Sequence, residues 1–519
     1  MPDSDRKYRR RWLTLAVLGL SLLIVGLDNT ILNVALPSLQ REFNASASAL
    51  QWMVDSYVLV FAGMLLTMGA LGDRFGRARA LTLGLLAFGG ASAVAAFSTS
   101  EFQLIAARAV MGVGGALIMP ATLSIITDVF PREERGRAIA IWAAIAGLGI
   151  GVGPMVGGVL LENFWWGSVF LVNVPIVILA VVAGFFLVPN SKDPAKRSLD
   201  LVGAVLSTAS ISALVYGIIE APGRGWLDGL VDFAIVGSVV LGVVFLLWER
   251  RHDTPMLPLS FFRNPRFSLG AVAISLSFFA LFGVIFAYTQ YLQFVLGYSA
   301  LGAGIRTAPM AVGMALGAGF SHKVVARFGA TRAVSGAMLL LATVLVSMTW
   351  WSTTTGFWFV GGALALAAFF MGNVMAPSTD SVMGAVPLAK AGVGSAMNDV
   401  ARMVGGALGV AVLGSAINST YSAGMASAVS GLPAPAASAA RDSVGAATQI
   451  AASLPGTTGD ALVHAAGTAF VDAMGIALLV GAGIVAIGAV LVAKFLPAVH
   501  RKEVGERIAA LEQATCIES

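Results

Sequence analysis

The stretch Ser21-Leu-Leu-Ile-Val-Gly-Leu-Asp28-Asn-Thr-Ile-Leu-Asn33-Val-Ala-Leu-Pro37 places one carboxylate deep in an apolar segment. Read as a helix that enters a bilayer near Leu13 and leaves near Leu36, it has its middle near Val25. At ~1.5 Å per residue, Asp28 then lies roughly 5 Å outward of the midplane. A carboxylate at that depth is costly unless it is protonated, paired or facing a wet cavity, so it is usually a working group. Arg6, Lys7, Arg9, Arg10 and Arg11 precede the segment and give it the look of a signal peptide. The apolar run is too long for one and has no small-residue cleavage site, so the expectation is a retained first span.

The rest of the chain fits a membrane setting. Of 519 residues, 57% are hydrophobic and 11% charged, against about 25% charged in soluble domains. Apolar segments of spanning length, about 20 residues, fall near 12–36, 49–71, 79–98, 102–127, 137–161, 166–188 and 199–220. More follow near 231–249, 267–292, 302–322, 332–351, 357–381, 392–418 and 469–495. Putting the N-terminus inside leaves only Arg41, Arg224 and Arg441 in outer loops and Arg108, Arg306 and Arg402 within spans. The other 26 of the 32 lysines and arginines then fall on the inner side. That bias predicts an all-α polytopic protein of fourteen transmembrane helices with both termini cytoplasmic.

The net charge of +5 does not point to nucleic acid, because the basic residues are scattered through short loops that would face the inner leaflet. The single cysteine, Cys516, rules out an intramolecular disulfide and a Cys-cluster metal site, and the four histidines have no metal-ligand spacing. Neither a hydrolase nucleophile–base set nor a phosphate-binding Walker A loop occurs. The expectation is no metal, no cofactor and no enzymatic activity, with any transport being secondary rather than ATP-driven.

Spans 1–6 (residues 1–190) and spans 9–14 (263–498) read as two six-helix bundles, with spans 7–8 and their linkers (191–262) inserted between them. A trace of repetition supports this. Gly69-Ala-Leu71-Gly72-Asp73-Arg74-Phe-Gly76-Arg77-Ala-Arg79 is echoed, without its acid, by His322-Lys323-Val-Val-Ala-Arg327-Phe-Gly329-Ala-Thr-Arg332. Transporters built from such repeats hold substrate between the halves near the midplane. The Ala/Ser/Gly/Pro-rich stretch 419–468 is an outer loop, either carrying a short surface helix or disordered. The tail 499–519 is polar and reads as an inner-surface helix. Most of the 60 glycines are packing residues, small enough to let helices approach.

Several groups stand out against that background. Asp73, in a charged inner turn, can bind the positive end of a neighbouring helix or an arginine, and Gly76 permits the tight turn. The alternative is a generic basic loop. By the same depth count, Asp55 and Arg108 lie roughly 8 and 9 Å outward of centre, in one layer with Asp28. A guanidinium favours the ionised carboxylate and desolvation disfavours it, an opposition that lets an acid bind and release a proton. The alternative is a structural ion pair. Asp399 and Arg402, at i and i+3 in span 13, share a helix face and can pair. Asp380 and Glu220 read as groups near the membrane interface. The outer run Tyr288-Thr-Gln290-Tyr291-Leu-Gln293-Phe294 reads as an aromatic belt before a drug contact. Gly149-Ile-Gly151-Val-Gly153-Pro154-Met-Val-Gly157-Gly158 in span 5 combines a missing backbone donor with missing side-chain bulk, allowing bending and tight packing.

These motifs resemble the major facilitator superfamily over essentially the full chain, and most closely its 14-span drug–proton antiporters of the QacA/EmrB type. In that resemblance Gly69, Leu71, Asp73, Arg74, Gly76 and Arg77 form a conformational latch. Gly149, Gly153, Pro154, Gly157 and Gly158 correspond to the antiporter motif of exporters. Arg108 resembles the fourth-span motif associated with proton transfer, although Met111 stands where glutamine is usual. Asp399 resembles the span-13 acid used for cationic substrates or protons. The implied function is proton-coupled export of amphipathic, cationic drugs or antibiotics by a monomer in a bacterial cytoplasmic membrane. Asp28, Asp55 and Arg108 would couple protons, and Asp28, Asp399, Tyr57, Tyr291 and Asn398 would contact substrate, with Asp380 and Arg402 as secondary candidates. The competing readings are an importer, an exporter of a lipid, a siderophore or the cell's own antibiotic, and a membrane sensor that transports nothing.

Overall fold

The computed structural model describes residues 3–43, 47–192, 200–252, 255 and 257–497. The expected tail helix at 499–519 and the basic linker at 193–199 lie outside the described residues. Fourteen long helices carry the described chain. They are α1 (Asp3–Phe43), α2 (Ala47–Phe75), α3 (Arg77–Ala96), α4 (Glu101–Val129), α5 (Arg132–Asn163) and α6 (Asn173–Leu187). Then follow α7 (Leu201–Arg224), α8 (Gly229–Arg251), α9 (Pro265–Gln290), α10 (Ala308–Phe328) and α11 (Ala330–Met348). The last are α12 (Phe357–Gly384), α13 (Ala391–Met425) and α14 (Gly456–Phe495). No strand occurs among the described residues, as expected where lipid leaves backbone groups to bond within each segment.

Thirteen helices are long and apolar enough to cross a membrane by length and composition. The fourteenth expected span corresponds to α10, which has 21 residues. Gly313, Gly317, Gly319, His322 and Lys323 dilute its apolar character. Two other differences concern the stretch between α13 and α14. The stretch 419–468 is folded rather than disordered: α13 continues to Met425, two short helices occupy Ala434–Asp442 and Val444–Ala452, and α14 begins at Gly456. Ser443 caps the second short helix by accepting from Gly445 N at 3.1 Å, and Tyr421 Oη donates to Ala440 O at 3.0 Å. Polar residues such as Thr457, Thr458 and Asp460 hide the start of α14 from an apolar-run reading.

The same pairing of helices occurs twice. In the first six, α1 packs on α5, α2 on α4 and α3 on α6; in the last six, α9 packs on α13, α10 on α12 and α11 on α14. The turn between the second and third helix of each set contains a glycine at positive φ, Gly76 (118°) and Gly329 (81°), a conformation that favours a residue without Cβ. The halves meet reciprocally as well, α5 against α10 and α13 against α2. Two apolar cores result. One is dominated by the first six helices and the other by the last six together with the short helices between α13 and α14.

Helices α7 and α8 pack on each other, and α7 also lies on α2 and α13, across the seam between the halves. Thr67 Oγ1 and Thr208 Oγ1 are 3.2 Å apart, and Ser212 stands against Gly63. Leu230, Phe233, Val236, Val239 and Val240 of α8 remain exposed on its outer face, as lipid-facing side chains would be.

Candidate functional site

Three elements converge on the buried acid of α1. Arg108 of α4 forms an ion pair with Asp28 through Nη1 and Oδ2, both side chains being essentially inaccessible. The same guanidinium donates from Nε to Met53 O at 3.0 Å, and its carbon lies 4.5 Å from the Tyr57 ring centroid. One α2 turn thus supplies Arg108 with both a carbonyl and an aromatic face. Asp55 lies between these two contacts in sequence and is half-buried. Asp28 Oδ1 and Tyr57 Oη are buried with no hydrogen-bond partner among the described residues. Asn173 of α6 stands beside Asp28 and donates to Ser92 Oγ at 3.1 Å. Unpaired buried polar atoms carry an energetic cost, and their presence beside a charge pair marks a place where proton and ligand contacts can change.

The glycine row of α5 sets the position of Asp28. Gly149, Gly153 and Gly157 recur every four residues and so share one face. A Cβ on Gly149 would lie 3.1 Å from Gly26 Cα, one on Gly153 would lie 3.0 Å from Leu27 O, and one on Gly157 would lie 2.9 Å from Ile31 Cγ1. Helix α5 therefore docks against the turns of α1 on both sides of Asp28. Pro154, inside a continuous α5, faces the second half: a Cβ on Gly304 would come 3.0 Å from its Cβ. Gly158 is buried.

Near the C-terminal end of α2, Asp73 reaches the first turn of α13. Its oxygens accept from Gly392 N at 2.8 and 3.0 Å and from Val393 N at 3.3 Å, while Arg77 Nε donates to Oδ1 at 2.9 Å. Arg77 also donates to Leu388 O, just before that helix. Gly69 and Gly392 allow this close crossing, since a Cβ on Gly69 would lie 2.6 Å from Gly392 O. A negative charge at a helix N-terminus satisfies free N–H groups and complements the dipole. Arg74, next to Asp73, lies instead against the exposed Phe75 ring, 5.3 Å from its centroid.

In the second half, Arg402 Nη1 donates to Asp399 Oδ1 at 3.2 Å. Asn398 Oδ1 accepts from Thr379 Oγ1 of α12 at 3.1 Å, and its Nδ2 is buried without a partner among the described residues. Asp380 is half-buried near the C-terminal end of α12 with Arg135 as its charged neighbour. Glu220 pairs with Arg224 at 2.7 Å at the end of α7. Tyr291 is not brought to this region. Its hydroxyl donates to Ser352 O at 2.6 Å and its ring stacks on Trp351 in the second core, a packed corner that satisfies the side chain internally.

Several participants leave little trace in the sequence. Met53 O, Leu388 O and the Gly392 and Val393 N–H groups are backbone. Trp142 and Phe278, which flank Arg402, are aromatic residues among 10 tryptophans and 29 phenylalanines. The polar Asn173 within an apolar span is the one that could have been singled out.

Comparison with known proteins agrees with the fold and points in one direction. The family model described as Major Facilitator Superfamily matches residues 18–410. The chain is 38% identical over 471 residues to the multidrug efflux pump LfrA of Mycolicibacterium smegmatis, covering 90% of this chain and 93% of that protein. It is 36% identical over 471 residues to the methyl viologen resistance protein SmvA of Salmonella typhimurium, covering 90% and 95%. Among solved structures, the human organic anion transporter MFSD10 (TETRAN) superposes with a TM-score of 0.61 at 18% identity, covering 95% of this chain and all of the other, a likeness of fold.

Proposed function

The chain belongs to the major facilitator superfamily, and from that premise we propose that it is a proton-coupled exporter of amphipathic, cationic drugs, of the 14-span QacA/EmrB type. The observation that carries this reading is the buried Asp28–Arg108 pair, with one carboxylate oxygen and the Tyr57 hydroxyl left unpartnered beside it. The names of the relatives, a multidrug efflux pump and a protein of resistance to methyl viologen, support the substrate class. In this reading α10 is the span that composition alone does not mark, α7 and α8 are an insertion between two six-helix bundles, and a monomer sits in the bacterial cytoplasmic membrane with both termini inside.

The chemistry follows from the pair. Ionised Asp28 holds Arg108 or a substrate cation; a proton arriving from outside neutralises it and releases that cation outward. Inward re-exposure lets the proton leave, restoring the carboxylate. The Asp73 contact with α13 holds the inner side shut while the outer side is open, and the α5 glycine row keeps α1 seated on α5 through the cycle. The test is flux in proteoliposomes carrying the purified chain, with a panel of cationic dyes and neutral drugs and a pH gradient of either sign. Proton-driven movement toward the proton-rich side is expected. Uptake in the opposite sense identifies an importer, and no flux for any compound overturns the transport reading.

A further inference from the structure

Arg402 is the only guanidinium that the two halves enclose jointly among the described residues with aromatic faces from each. Its central carbon lies 4.8 Å from the Phe278 centroid, on α9 of the second half, and 5.6 Å from the Trp142 centroid, on α5 of the first. The third wall is Asp399, whose Oδ1 accepts from Arg402 at 3.2 Å and whose Oδ2 is buried without a partner among the described residues. Each wall is fixed by its own helix. Trp142 is fully buried, with Nε1 donating to Thr122 Oγ1 of α4 at 3.1 Å. Phe278 is carried in by backbone contact between α9 and α13, where Cβ atoms on Gly405 and Gly409 would each lie 2.8 Å from the Cα atoms of Ser275 and Phe279.

Two ring faces and a carboxylate are what a desolvated organic cation needs. A permanent charge buried among apolar helices must be paired, so an empty cage would leave Asp399 uncompensated. We infer that Asp399, Phe278 and Trp142 form a cation-binding cage spanning both halves, that Arg402 is its resident occupant, and that a planar delocalised cation such as a pyridinium or phenanthridinium displaces it. This deepens the export reading and rests on it for the outward direction of transport alone. One cation replaces another at Asp399, so binding never leaves that carboxylate unpaired. Because the occupant is a flat guanidinium lying over ring faces, flat aromatic cations fit better than tetrahedral ammonium ions. Since Trp142 and Phe278 belong to different halves, filling or emptying the cage is sensitive to how the halves sit against each other.

The test uses the full chain in detergent with ethidium and its uncharged parent ring, phenanthridine. Arg402→Gln keeps an amide donor on a shorter side chain but removes the charge that competes for the cage; ethidium is expected to bind about fivefold tighter, with phenanthridine unchanged. Adding Trp142→Leu to that variant should weaken ethidium about tenfold, the scale of a buried cation–π contact, and spare phenanthridine. Unchanged or weaker ethidium binding to folded Arg402→Gln overturns the inference, as does equal loss of both ligands in the double variant. The unaltered chain provides a test independent of folding. Modification of Arg402 by phenylglyoxal, read by mass spectrometry of its peptide, should speed up several-fold with saturating ethidium and not with phenanthridine; protection or no change overturns the inference. Export and cage fail separately: flux of neutral drugs without these binding changes removes the cage alone, and these binding changes without proton-driven flux remove the export reading alone.

Discussion

Asp73 of the first half and Gly392 of the second are joined by a carboxylate that accepts the backbone N–H at 2.8 and 3.0 Å, capping α13 at its second residue. Because the partner is backbone, no side-chain change in α13 replaces it. Replacing Asp73 by asparagine keeps the shape and removes the charge, at a cost of about 1–2 kcal/mol for charge-assisted bonds to a helix N-terminus. The inner side should open more often. Cysteine labelling from the inside at positions along α2 and α13 is expected to rise in Asp73→Asn while thermal stability falls only slightly; unchanged labelling removes Asp73 from any closing role.

Asp28 and Arg108 make a second, sharper test because they form a buried ion pair. Asp28→Asn is expected to fold and carry no proton-driven flux. Arg108→Met leaves a buried carboxylate uncompensated and should destabilise the chain by about 3–5 kcal/mol, whereas adding Asp28→Asn should restore much of that loss. Thermal unfolding of the two single variants and the double variant measures the coupling. Additive losses would mean that the pair contributes nothing as a pair, and proton-driven flux by Asp28→Asn would assign the proton elsewhere.

How much of this the sequence carries depends on the kind of residue. Asp28, Asp73, Arg108 and Asp399 are legible because a charge within an apolar helix stands out, and depth counting alone places Asp28 and Arg108 in the same layer. Their partners are less legible. The N–H groups of Gly392 and Val393 have no residue-type signature, and Trp142 and Phe278 look like any apolar packing. Tyr291 is hidden in another way: an aromatic with a hydroxyl at a span end reads as an aromatic belt or a ligand contact, and nothing near it marks its bond to Ser352, 61 positions away. Distant pairing of that kind is not written in local pattern. The folded 434–452 segment escapes for a related reason, because alanine-rich helices that bury Ala440, Val444 and Ala447 against the second core carry too little apolar signal of their own.

The seat of α1 on α5 predicts a graded response to bulk. A Cβ on Gly26 would lie 3.1 Å from Gly149 Cα, and a Cβ on Gly149 the same distance from Gly26 Cα. Alanine at either position requires a shift of a few tenths of an ångström, and valine or leucine forces the helices apart. Gly149→Ala should keep partial transport, while Gly149→Val should lose it together with about 1–3 kcal/mol of stability from overpacking. Gly237 on α8 has nothing within 4 Å of its virtual Cβ, so Gly237→Val is the matched control and is expected to behave as the unaltered chain does. Equal tolerance of valine at 149 and 237 in a flux assay would show that the close approach is dispensable.

The connections on either side of the α7–α8 pair give the last prediction. Ser191 O accepts from Arg77 N at 2.9 Å, beside the turn where Gly76 has φ 118° and abuts Asn190. After α8, Pro255 O accepts from Lys390 Nζ, and Lys390 is the residue that leads into α13. Both connections therefore hold residues adjoining the contact between Asp73 and α13, one from each half, although α8 itself faces outward. Opening the inner side requires one of these contacts to stretch or break. Lys390→Met removes one of them without touching Asp73 or the helix backbone, at a cost of about 1 kcal/mol for a partly exposed charged donor. Inside labelling of α13 should rise less than in Asp73→Asn, and the double variant should fall short of the sum, because both changes release the same element. Strict additivity would mean that the Lys390 contact holds the connection after α8 and nothing else, leaving α7 and α8 without influence on the inner closure.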